Sequence, residues 1–121
     1  MLIVVLLSFL LSAQPPQPNP VVRIAVQGET NLVPNFIETF KAESRALGLQ
    51  VEIVERRSAT LDYNILIAQE TTLGSAAAAI VATSRDGDLV ASVVRSGRFS
   101  GRGAINACTK ELAKKIAVFK R

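Results

Sequence analysis

The residue types best able to do chemistry crowd one stretch, "RSGRFSGRGAINACTKEL" (95–112). There Gly97, Gly101 and Gly103 alternate with Arg95, Arg98 and Arg102 ahead of an amphipathic run. A strand that enters a helix through a glycine-bearing turn aims backbone N–H groups at an anion, and guanidiniums add forked, charge-assisted hydrogen bonds. Lys110, Lys114 and Lys115 continue the basic series. Residues 95–121 hold eight basic side chains against Glu111 alone, a balance of +7, whereas residues 1–94 carry −3 within a net charge of +4. Arg98, Arg102, Lys110, Lys114 and Lys115 are therefore the candidate anion-binding set, for an anionic surface or a nucleic acid. The glycine spacing fits neither G-x-G-x-x-G nor a Gly-Lys-Ser/Thr phosphate loop. The structural alternative takes precedence: Ser100 as a helix N-cap, Gly101 and Gly103 as a tight joint, and a basic helix end favoured by the dipole.

Catalytic constellations are poorer. The 121-residue chain has no histidine and one cysteine, so the usual neutral-pH base is missing and neither a disulfide nor a cysteine metal cluster is expected. Ser75 and Ser100 lack a G-x-S-x-G elbow. Glu52 and Glu55, three apart on a strand, point to opposite faces and form no carboxylate pair. Asp86 and Asp88 flank Gly87 as turn formers, and Cys108 falls in an apolar stripe as a small core residue. Aromatic residues make up 5% of the chain, too few for base stacking along a single strand, and Tyr63 is assigned to the core. These readings describe a domain with no catalytic residue, no metal and no cofactor.

The elements that must position these residues follow from periodicity. "VVRIAVQ" (21–27) reads as a strand buried on both faces. Residues 33–47 read as an amphipathic helix, with Pro34 in its first turn and Gly48–Leu49 closing it. Strands are expected at 50–56, at 62–69, from about 78 to 84 and at 89–96, the last two joined by a hairpin at Asp86-Gly87. Ile105, Cys108, Leu112, Ile116 and Phe119 mark one stripe of a helix over about 103–119. The order β-α-β-β-β-β-α gives an α+β fold, a two-layer sandwich with a mainly antiparallel sheet and two helices on one face. Residues 1–13 are apolar apart from two serines and suit a signal peptide rather than a spanning helix. Residues 14–20, with four prolines, suit an extended spacer, leaving 21–121 as a single domain.

"LDYNILIAQ", "AAIVATSRDGDLVASVVRSG" and "AINACTKELAKKI" together resemble the N-terminal domain of the periplasmic Tol-Pal component TolB and related small envelope domains. The matching features are Asp62-Tyr63 opening a central strand, the Asp86-Gly87 hairpin, and Leu112, Ala113 and Ile116 in the closing helix. The chain departs from that group where only "RSATL" stands in place of a helix between the second and third strands. The resemblance implies a non-enzymatic, periplasmic or otherwise exported domain that docks on another envelope protein, and it assigns no functional residue.

Overall fold

The computed structural model describes residues 20–97 and 101–120; the expected signal peptide, nearly all of the proline spacer, Arg98 and the Ser100 cap lie outside them. Seven elements follow in the expected order: β1 (Val21–Gln27), α1 (Val33–Ala46), β2 (Gln50–Ile53), β3 (Tyr63–Thr72), β4 (Ser75–Ser84), β5 (Leu89–Gly97) and α2 (Gly101–Lys120). The strands form one sheet in the order β2-β1-β3-β4-β5.

The sheet is mixed rather than mainly antiparallel. β1 pairs in parallel with β2 and with β3, whereas β3–β4 and β4–β5 are antiparallel. The reason is the connections. A crossover helix returns the chain to the end from which β1 began, and the loop over residues 54–62 does so again for β3, which lands on the free side of β1. Only the last three strands, joined by short turns, meander.

The alanines at 76–79 favour a helix in isolation, yet they are strand from Ser75 onward, three residues earlier than expected. Pairing with β3 runs unbroken from Thr72↔Ser75 to Tyr63↔Ser84. Ala76, Ala78, Ile80 and Ala82 are buried, while Ala77, Ala79 and Val81 between them are half-buried, the period of two that a strand imposes. The β4–β5 turn is a three-residue loop: Gly87 N–H donates to the Ser84 carbonyl at 3.0 Å and Ser84 N–H to the Asp88 carbonyl at 2.8 Å. Gly87 alone takes the left-handed position, at φ +91°.

α1 is built as its sequence dictates. Phe36, Phe40 and Ser44 are its buried residues, and the two rings stack with centroids 5.4 Å apart. Its end is a Schellman motif: Gly48 N–H donates to Arg45 O at 3.0 Å and Leu49 N–H to Ser44 O at 2.8 Å. The Ser44 hydroxyl, by contrast, is buried without a hydrogen-bond partner. Ser44→Ala removes a desolvated polar group and improves helix propensity. It is expected to raise stability by about 1 kcal/mol, read as a higher denaturant midpoint at unchanged slope; a lower midpoint contradicts this account.

α2 buries Ala104, Ile105, Cys108, Leu112, Ala113, Ile116 and Ala117. Phe119, expected in that stripe, is 59% exposed, at the rim of a shallow depression with Val90 and Ala91 of β5. Asn106 joins the helices, its Oδ1 accepting from Asn35 Nδ2 at 3.1 Å and Thr39 Oγ1 at 3.4 Å. One core holds Val22, Ile24, Phe36, Phe40, Ile65, Ile67, Ile80, Ile105, Leu112 and Ile116. By register, the strand members of that core share one sheet face, and the helices cover it.

Candidate functional site

The register that buries one face leaves the other open. Leu66 pairs with Val81, and Ala68 with Ala79, which pairs in turn with Val94. Leu66 is 53% and Val94 64% exposed. These residues, with Ala77, make a contiguous apolar track across β3, β4 and β5. Among the described residues no helix packs on it. Contiguity is what separates such a track from the scattered apolar side chains of any surface.

At one end the track meets two β-turns. Ser58 N–H donates to the Glu55 carbonyl at 3.0 Å, which sets Arg56 and Arg57 at the two central positions of one turn. The β4–β5 turn sets Arg85 and Asp86 at the corresponding positions of the other. The turns are linked, because Arg85 Nη1 donates to the Ala59 carbonyl. With its amide oxygen turned inward, Gln27 accepts from Arg56 Nη1 at 3.1 Å and Nε at 3.3 Å. The loop is anchored where β3 begins. Arg23 N–H donates to Asp62 Oδ2 at 2.8 Å, and Asp62 N–H donates back to the Arg23 carbonyl at 2.8 Å. Asp62-Tyr63 thus opens the central strand of the sheet, as expected.

Between the turns lies an open basin of about 680 Å³ whose floor includes Asn64, Leu66, Val81 and Thr83. Arg56, Arg57 and Arg85 line it, with Asp86 as its one acidic residue. Arg57 has no hydrogen-bond or ion-pair partner among the described residues, and Asn64 Oδ1 is buried without one. The sequence reading passed over this cluster. Its only signals were the Arg56-Arg57 pair between strands and the arginine opening "RDGD".

The candidate set on α2 is divided by the structure. Arg102 lines a separate depression of about 460 Å³ with Asn31, Asn35, Glu38 and Gln69. Lys110 and Lys114 are exposed one turn apart on the outer side of the helix. Lys115 lies on the flank toward β5, with Nζ 3.4 Å from the Ser92 carbonyl. Arg95 pairs with Glu111 and donates from Nη1 to the Val94 carbonyl at 3.2 Å. Ser92 and Val94 are alternate residues of an edge strand, so both carbonyls point away from β4.

Cys108 is fully buried, 3.4 Å from the Ala78 carbonyl. Burial pushes its thiol up, against an opposing pull from Arg95. The sign follows: the folded state holds the proton more tightly than the unfolded state. Cys108 therefore adds no pH dependence below its unfolded value of about 8.5, and stability declines above it. Thiol alkylation at neutral pH is expected to proceed only at the rate of unfolding; rapid labelling of folded protein refutes this. Among the described residues, no group of three or more Cys, Asp or Glu is placed to hold a metal, and no helix is long and apolar enough to cross a membrane.

No protein-family model matches the sequence, and no curated protein matches it by sequence. Solved structures that superpose on the chain include the following two. TolB from Acinetobacter baumannii superposes with a TM-score of 0.51 at 12% identity, over 88% of this chain and 30% of the TolB chain. A PelC dodecamer from Paraburkholderia phytofirmans gives a TM-score of 0.49 at 16% identity, over 82% of this chain and 86% of that one. The likeness to TolB is one of fold and agrees with the architecture that the sequence resemblance implies.

Proposed function

We propose that the protein is a non-catalytic docking domain, exported to a cell envelope, that binds another protein through the open face of its sheet. The observation that carries this reading is the track of Leu66, Ala68, Ala77, Ala79, Val81 and Val94, apolar and without a covering helix among the described residues. Burial of apolar area is the main drive of protein association, and a flat sheet face with polar borders supplies it. Export rests on the apolar residues 1–13 and the proline-rich stretch that follows. Photo-crosslinkers placed at Leu66 and Val94 in the native host are expected to capture one defined protein, and a crosslinker at Lys114 is not. Equal capture at all three positions, or none, overturns the reading.

A second reading, polyanion binding by α2, is favoured by Lys110 and Lys114, exposed and without partners among the described residues. It requires that Lys110→Gln with Lys114→Gln lower the salt slope of nucleic-acid binding by about 2. No binding at low salt removes it.

A further inference from the structure

We propose that the basin between the turns receives carboxylates from an acidic, extended segment of the protein partner, a proposal that rests on the docking reading above. Arg56, Arg57 and Arg85 bring three positive charges to a site whose lining contains Asp86 as its one acid. Gln27 holds the Arg56 guanidinium, so one of the three is positioned before any ligand arrives, while that of Arg85 is engaged by the Ala59 carbonyl in the neighbouring depression. Arg57 remains with its full set of donors uncommitted among the described residues.

The charge balance of the basin favours a carboxylate over a phosphate. Phosphate cradles are built largely from backbone N–H groups. Here the amide of Gly87, on the basin lining, is already spent inside its turn. Arginines line the basin, and a guanidinium's planar fork matches a carboxylate edge to edge, as it does a phosphate. Asp86 adds a charge that opposes a dianion more than a monoanion. Leu66 and Val81 belong both to the basin floor and to the apolar track. A segment whose acidic end enters the basin therefore lays its apolar continuation along the sheet.

The probe is a labelled Val-Leu-Val-Glu-Glu-Glu peptide, titrated by fluorescence anisotropy at low salt against the full chain. Arg57→Glu, which breaks no internal contact, is expected to weaken binding about tenfold or more. Arg57→Gln weakens it less, and Lys110→Gln with Lys114→Gln leaves it unchanged. Four results overturn the assignment: no binding of the probe, equal binding by Arg57→Glu, displacement of the peptide by inorganic phosphate at equal concentration, or tighter Arg57-dependent binding to phosphatidylglycerol vesicles. The two readings fail separately. Crosslinking from Leu66 with no effect of Arg57→Glu retains docking and removes the carboxylate site. Arg57-dependent peptide binding with no crosslinked partner does the reverse.

Discussion

Phe40→Ala is expected to lower the unfolding free energy by about 3–5 kcal/mol. Phe40 is fully buried, stacked on Phe36, and sits where α1 meets β1 and α2. Truncation loses the transfer energy of the ring and leaves a void that Phe36 cannot fill from its own stacked position. Domains of this size have about 5–15 kcal/mol in all, so this one change uses a large share of it. Equilibrium denaturation measures the loss directly, and a value below about 1 kcal/mol is incompatible with a filled core at this point. Phe36→Ala belongs to the same network. The pair is expected to be non-additive, since each ring is the other's neighbour.

Gly28→Val is expected to cost about 1–3 kcal/mol by another route. A β-carbon at Gly28 would fall 2.4 Å from Ile67 Cγ1 and 2.9 Å from the Ile67 carbonyl oxygen. The methylene could swing away, but the oxygen belongs to β3, whose position is fixed by β1 on one side and β4 on the other. Room is made only by separating β1 from β3, the parallel pair that joins the two halves of the sheet. A melting temperature lower by about 4–8 °C per kcal/mol is the readout for a domain this small. An unchanged melting temperature would mean that the end of β1 lies farther from β3 than described. Gly28→Ala meets the same oxygen and changes stability in the same direction.

Local periodicity made much of this fold legible. The end of α1 at Gly48–Leu49, the stripe from Ile105 to Ile116 and the turn at Gly87 each follow from residues within a few positions of one another. What escaped depends on partners far apart in the chain. The parallel pairing of β1 with β3 is decided by where the loop over 54–62 returns, which no pattern in either strand states. The alanines at 76–79 are strand because β3 and β5 flank them. The basic residues show the same limit. Charge counting drew attention to 95–121, where Arg95 and Lys115 serve to bind α2 to the outer edge of β5. Arg56-Arg57 and Arg85 meet only because two turns close at the same end of the sheet, and their separation in sequence hid the cluster.

The guanidinium of Arg95 and the ammonium of Lys115, lodged on the Val94 and Ser92 carbonyls, set a limit on how copies of the chain can grow into larger objects. A fibre made by strand addition needs two complementary ends, each open to the next molecule. Here the β5 end is stoppered by cations that an incoming strand would have to displace. Among the described strands only the four-residue β2 rim is left. Joining two such rims about a two-fold axis closes the sheet into a pair with a stopper at each extremity. Strand-by-strand growth from the β5 edge is thus disfavoured.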